Sequence, residues 1–286
     1  MDWPTWQQAV VTAGVCGAMA LVLRRPWRAE YEAGRRSAAG SAFTELALVA
    51  TLYAIWRMAR ELPLATTSGA VQRGREVNHF ERLLHMPSEL GLQHFVLDHA
   101  WLGRFLNVYY ATVHVPATIV FLVWLYARHR PQYPHWRNGL AISTAFCLFI
   151  RFVRVAPPRL SSLGYIDIAA VFGLSVYGPV GTGVSDQLAA MPSIHVGWAA
   201  VVSFGIVACS TSRWRWWGMA HLVLTLLAVS ATGNHWWLDG IAAIGLLVLA
   251  LRIDTFVRHR WRALEARRSG AHASFVLEEQ AIVSGV

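Results

Sequence analysis

The chain has 286 residues, 55% of them hydrophobic and only 14% charged, with a formal net charge of +9. A soluble domain carries about 25% charged residues, so the composition excludes an ordinary water-soluble enzyme and points to a polytopic membrane protein. The positive charge does not mark a nucleic-acid binder. All 25 basic residues are arginine, and they sit in short clusters between apolar runs, as membrane topology requires.

Met1 to Trp6 lacks the positive n-region of a signal peptide, so no cleavage is expected. The first apolar run, Gln8 to Leu23, is short for a span of about 20 residues. Arg24, Arg25, Arg28, Arg35 and Arg36 follow it as a cytoplasmic marker. A second run covers Ala42 to Met58. The polar section Ala59 to Arg104 mixes apolar and charged residues at helical intervals around Val77–Leu84 and Phe95–Leu102. These are predicted as amphipathic helices on the membrane surface. Their histidines, His79, His85, His94 and His99, have no metal-ligand spacing and read as scattered interfacial residues.

The third run, Phe105 to Tyr126, opens with Tyr109, Tyr110 and His114. The tyrosines read as an interfacial aromatic belt; the other reading turns all three toward an internal chamber. The fourth run, Leu140 to Val155, carries Arg151 and Arg154 near its end, followed by Ala156-Pro157-Pro158-Arg159. Arg151 and Arg154 share one helical face, and charges inside a span usually serve a site. Snorkelling to the headgroups accounts for one of them. Three arginines beside a rigid Pro-Pro turn read better as an anion cradle.

The loop Leu160 to Met191 has an apolar middle, Ile168 to Val176, too short to span, and a glycine-rich turn at Gly178 to Gly183. Ala190-Met191-Pro192-Ser193-Ile194-His195-Val196-Gly197-Trp198 then opens the fifth run, which extends to Cys209. Pro192 suits a first helical turn. A helix start offers N–H groups to a phosphate, with the Ser193 hydroxyl and a His195 proton donor at the same mouth. An N-capping serine beside a buried histidine is the alternative.

Arg213 and Arg215 precede the sixth run, Trp216 to Thr232. The seventh, Trp236 to Ile253, is headed by Gly233-Asn234-His235-Trp236-Trp237-Leu238-Asp239. His235 and Asp239 lie four apart, on one helical face. A carboxylate on one ring nitrogen fixes the tautomer and leaves the other nitrogen to attack or to accept a proton. Taken alone, the pair is as well read as a helix-start histidine beside a surface aspartate. Arg258, Arg260, Arg262, Arg267 and Arg268 follow, then a tail expected to be mobile. Cys16, Cys147 and Cys209 lie inside apolar runs and read as small buried hydrophobes.

Seven spans would put the arginine clusters at 24–36, 128–137, 213–215 and 258–268 on the cytoplasmic side. The Arg159 turn and the helix starts at Ser193/His195 and His235/Asp239 would then share the opposite face.

Pro192-Ser193-Ile194-His195, followed some 40 residues later by His235-x3-Asp239, resembles the second and third signature motifs of the type 2 phosphatidic acid phosphatase superfamily. Ala156-Pro157-Pro158-Arg159 and Met191 to Trp198 look most like its inositol phosphorylceramide synthase-like branch. The resemblance covers roughly Leu106 to Leu251. Phe152 and Val229 stand where the first and third motifs carry cations; Arg154 and Arg151 are expected to replace them, with Asn234 as a neutral donor. The resemblance implies His235 as nucleophile on phosphorus, oriented by Asp239, and His195 as general acid and then base. Arg159, Arg154 and Ser193 would hold the phosphoryl oxygens. No metal or other cofactor is expected.

The expected fold is an all-α polytopic membrane bundle of about six to seven transmembrane helices with interfacial amphipathic helices. Residues 1–257 would form a single membrane domain, with the family-like core at 105–253, and 258–286 a basic, flexible cytoplasmic tail. The expected function is hydrolysis of a membrane lipid phosphate monoester or diphosphate, from a phospholipid or a polyprenyl phosphate. It would occur at the outer face of the plasma (inner) membrane, through a phosphohistidine. Alternatives are transfer of a phospho-headgroup to an alcohol acceptor, and a non-catalytic lipid-binding or transport protein. No nucleic-acid partner is expected.

Overall fold

The computed structural model describes residues 4–23, 30–61, 68–173 and 187–284, with side chains described except at 30–37, 60–61 and 267–284. Arg24, Arg25, Arg28 and the glycine-rich turn at 178–183 lie outside the described residues. The described chain forms helices and no strands, in the order α1 (Trp6–Leu23), α2 (Glu30–Glu61), α3 (Ala70–Leu83), α4 (Glu89–Asp98), α5 (Ala100–Thr112), α6 (His114–Arg128), α7 (Tyr133–Ile150), α8 (Ile168–Phe172), α9 (Ile194–Cys209), α10 (Gly218–Ala231) and α11 (Trp237–Ser284). Short 3₁₀ turns occupy Pro158–Leu160 and Arg213–Trp217.

Among the described residues, three helices are long and apolar enough to cross a membrane: α1, the 38–59 part of α2 and the 237–266 part of α11. A fourth crossing is made if α5 and α6, bent by 52°, count as one span. The other predicted runs become α7, α9 and α10, three further helices of the same bundle. At about 1.5 Å per residue, the 16 residues of α9 reach about 24 Å, short of the roughly 30 Å hydrocarbon core. Large apolar side chains such as Leu21, Val120, Val123, Phe149 and Leu249 face outward. A soluble protein does not tolerate so extensive an exposed apolar surface, and this one is an integral membrane protein.

The core forms around α9, which packs on α6, α7, α10 and α11. Its small residues allow that crowding: Ala199, Ala200 and Val201 are fully buried or nearly so. At Gly205 the Phe121 ring lies so close that a Cβ would meet it at 2.1 Å. Membrane helices associate through such small-residue contacts because lipid supplies no hydrophobic drive. Away from the site, Asp254 of α11 accepts from His135 (2.6 Å) and Asn138 (2.7 Å) of α7 and pairs with Arg258 (2.8 Å). α11 continues as helix through the basic segment to Ser284.

α3 holds the first predicted amphipathic stretch, while the second, Phe95 to Leu102, is broken at His99 between α4 and α5. α3 and α4 bury more than an interfacial helix needs to. Glu81, Glu89 and Gln93 are fully inaccessible. Gln93 donates to the carbonyls of Ile166 (2.9 Å) and Ala231 (3.1 Å) and accepts from the Ile166 N–H (2.7 Å). It thereby ties α4 to the loop before α8 and to the end of α10. Gly233 ends α10 with φ 71°, a left-handed conformation that glycine adopts without Cβ strain. The N–H groups of Asn234 and His235 both turn back to the Val229 carbonyl at 3.1 Å. This tight reversal sets the entry to α11.

Candidate active site

His235 follows that reversal and is 4% exposed. Its Nδ1 lies 2.7 Å from the Ala190 carbonyl oxygen and 3.4 Å from Asp239 Oδ2. A carbonyl only accepts, so Nδ1 carries the proton and Nε2 keeps the lone pair. Nε2 takes no hydrogen bond from the described residues. The expected His–Asp pair is present, but a backbone carbonyl is the nearer partner and fixes the tautomer.

Asp239 is fully buried. Its Oδ2 accepts the Trp236 N–H at 2.9 Å, and its carbonyl accepts the Ser193 N–H at 3.1 Å. That last bond joins the head of α11 to the head of α9. Ser193, also fully buried, caps α9 by accepting the Val196 N–H on Oγ at 3.4 Å. One residue into the helix, the His195 ring stands 5.7 Å from the His235 ring, centroid to centroid.

Arg159 comes from the Pro-Pro turn. Its N–H bonds to the Gly233 carbonyl at 3.0 Å, and its Nε donates to Asn234 Oδ1 at 2.9 Å. Nη1 reaches Gln187 Oε1 at 3.3 Å and lies 3.7 Å from Asp167 Oδ2. The Asn234 amide nitrogen donates to Thr232 Oγ1 at 2.8 Å. Both ends of that carboxamide are thus engaged, and Asn234 steers Arg159.

Arg154 sits beside the strap that carries Ala190. Val155 exchanges backbone bonds with Leu188 (2.8 Å) and Ala190 (3.0 Å), and the Arg154 carbonyl accepts from Arg73 Nε at 2.6 Å. Arg151 donates to the Ala59 carbonyl near the end of α2 at 2.6 Å. His235, Asp239, Ser193, His195, Asn234 and Arg159 therefore converge. Arg154 adjoins them through backbone, and Arg151 is tied to the α2 end.

Further residues reach this site. Tyr109, Tyr110 and His114 flank the bend at Val113, between α5 and α6, and take the internal-chamber reading. They are 8%, 2% and 4% exposed, so the tyrosines are not a lipid-facing belt. The Tyr110 and His114 rings lie 4.6 and 5.2 Å from His195. Tyr109 Oη contacts His221 Nδ1 at 2.5 Å and Thr225 Oγ1 at 3.2 Å. On the other side, the Leu238 N–H donates to Glu81 Oε1 at 2.8 Å and the Trp237 N–H to Glu89 Oε1 at 3.3 Å. The only sequence signal for these two carboxylates is their type, glutamate in a segment at the membrane surface.

The PAP2 superfamily model matches residues 75–253, more than half of the chain. The chain belongs to the PAP2 superfamily. The matched stretch begins ahead of the expected core at 105, so the PAP2 unit takes in α3 from Arg75 onward and all of α4. No curated protein and no solved structure matches the chain. Membership supports phosphatase-type chemistry on a lipid phosphate in general. Among the described residues no group of three or more histidine, cysteine, aspartate or glutamate side chains is arranged to hold a metal ion.

Proposed function

We propose that this PAP2 protein hydrolyses a lipid phosphate monoester or diphosphate through a phosphohistidine on His235, at the extracytoplasmic face of the plasma (inner) membrane. One observation carries the reading. The Ala190 carbonyl holds the Nδ1 proton of His235, leaving the Nε2 lone pair as nucleophile with His195 beside it. In the first step Nε2 forms a bond to phosphorus while the bond to the leaving oxygen breaks, that of the lipid alcohol in a monoester or of the lipid phosphate in a diphosphate, and His195 gives that oxygen its proton. In the second, neutral His195 takes a proton from water, whose oxygen displaces Nε2 and releases phosphate. Arg159, with Arg154 and the head of α9 at Ser193, meets the charge on the equatorial oxygens.

Resolution of the same intermediate by an alcohol acceptor is the second reading. It is favoured by the likeness of Ala156–Arg159 and Met191–Trp198 to the inositol phosphorylceramide synthase-like branch. The test offers purified protein in nanodiscs a panel of lipid phosphates and measures inorganic phosphate, for wild type, His235→Ala and His195→Ala. Release lost in both variants supports hydrolysis. Labelled lipid donors with candidate alcohols, turned over without phosphate release, would favour transfer. Inertness in both assays would leave the lipid-binding or transport reading.

A further inference from the structure

We propose that Glu81 and Glu89 are positioning residues of the phosphoryl-transfer centre, reaching from α3 and α4 to hold the first N–H groups of α11 and so fix where His235 and Asp239 stand. The inference rests on the reading of His235 as nucleophile.

A helix start is ordinarily capped by a serine, threonine, asparagine or aspartate from its own chain neighbourhood. At α11 the nearby Asp239 takes only the Trp236 N–H. The next two are taken by side chains 148 and 157 residues away in sequence, Glu89 on Trp237 and Glu81 on Leu238. Burying two carboxyls completely costs far more desolvation than a local serine cap would, and helix capping alone does not call for it. The pair is also anchored at its own end. Arg82 Nη2 bonds both Glu89 Oε2 (2.9 Å) and the Pro87 carbonyl (2.8 Å), and Trp237 Nε1 donates to the same carbonyl at 3.0 Å. The turn between α3 and α4 is thereby clipped onto the residues that follow His235.

The charge balance fits this role. Glu81 faces Glu89 on α4, Asp239 on α11 and Tyr165 on the loop before α8, while its neighbour Arg82 pairs with Glu89. Burial first, and then the neighbouring Glu89 carboxyl, push Glu81 up to about 9, with the Leu238 N–H pulling the other way. Glu81 is therefore neutral near pH 7, so it caps the α11 head without adding a negative charge of its own. A glutamate held protonated up to about 9 in the fold, against an ordinary 4.5, stabilises the fold fully below 4.5. That contribution drains away as pH rises toward about 9.

The test uses the full chain in nanodiscs and the lipid phosphate that wild type turns over fastest. Glu81→Ala, Glu89→Ala, Glu81→Asp and Glu81→Gln are compared for kcat and KM, and wild type with Glu81→Gln for thermal midpoint from pH 5 to 9. Glu81→Ala and Glu89→Ala are expected to lower kcat about tenfold or more with KM little changed, the mark of misplaced reacting groups rather than lost binding. Glu81→Gln keeps an acceptor of the same reach and should recover most of that loss. Glu81→Asp, one methylene short, should not, and it serves where an alanine variant fails to fold. The wild-type midpoint should fall with rising pH more steeply than that of Glu81→Gln. Folded alanine variants with wild-type kcat, a Gln variant no better than Ala, or equal pH slopes would each overturn the proposal. Wild type inert on every lipid would instead sink the phosphatase reading, and this inference with it.

Discussion

The heads of α9 and α11 meet at one spot and are finished in opposite ways. At α11 the N–H groups of Trp236, Trp237 and Leu238 go to the carboxyls of Asp239, Glu89 and Glu81. At α9 a single serine hydroxyl caps the Val196 N–H, and at 3.4 Å it does so loosely. A helix start whose N–H groups are already taken by carboxyl oxygens has none left for a phosphate. A start capped by one neutral hydroxyl keeps its positive end for an anion. On the proposed reading α11 therefore holds the nucleophile still, while α9 and Arg159 receive the phosphoryl group. Two helix starts that look alike in sequence do different work because of what packs against them.

The largest effect should come from the residue that α11 holds. His235→Ala is expected to remove turnover to background, read as phosphate release from the best lipid substrate. A variant that still formed a covalent phospho-enzyme would break the assignment. On the α9 side, His195→Ala should lower kcat by about 10²–10⁴, the range of a general acid–base group. It should flatten the limb of the pH–kcat profile that reports His195. Arg159→Ala should cost about 10²–10³ in kcat, as loss of one donor to developing charge does. Arg159→Lys should recover only part, because a lysine lacks the planar fork by which Arg159 bonds Asn234 Oδ1 through Nε and Gln187 Oε1 through Nη1.

Asp239→Asn sharpens the contrast further. Where a carboxylate alone fixes a histidine tautomer, losing its charge is severe. Here the Ala190 carbonyl at 2.7 Å is the nearer partner of Nδ1, and Asp239 at 3.4 Å the farther. The expected loss is therefore about 10–100-fold in kcat, the usual cost of a supporting hydrogen-bond partner. A loss matching that of His235→Ala would show that Asp239, not Ala190, controls the ring.

The local parts of the comparison are legible in the sequence. Pro192-Ser193-x-His195 and His235-x3-Asp239 carry their meaning within one helical turn, and the apolar runs carry theirs within about 20 residues. What fails to show depends on distant packing. Glu81 and Glu89 look like the charged face of a surface helix, since nothing near them announces partners 148 and 157 residues away. Tyr109 and Tyr110 at the head of an apolar run have the local pattern of an interfacial belt, yet both are buried beside the 52° bend between α5 and α6. Spacing predicts Arg151 and Arg154 on one helical face, but α7 ends at Ile150, and Arg151, its C-cap, bonds the Ala59 carbonyl at the end of α2. The heads themselves show the same limit: Ser193 is the N-cap that the alternative reading gave, with Pro192 ahead of the helix rather than in its first turn, while two of the carboxyls that close α11 come from two other helices.

The smallest predicted effect falls on that cap. Ser193→Ala removes the Oγ bond to the Val196 N–H but leaves the backbone bond from the Ser193 N–H to the Asp239 carbonyl at 3.1 Å. The two helix heads therefore stay joined, and the loss should be that of one weak N-cap, about 1 kcal/mol of stability. Thermal denaturation in nanodiscs measures it. In catalysis the hydroxyl offers one dipolar donor, whereas Arg159 brings a full positive charge and a fork of N–H donors to the phosphoryl oxygens. kcat/KM should accordingly fall less for Ser193→Ala than for Arg159→Ala. An equal or larger fall would move the weight of phosphate binding from the arginine to the head of α9. A thermal loss of several kcal/mol would mean that the serine, rather than the Asp239 carbonyl bond, is what joins the two heads.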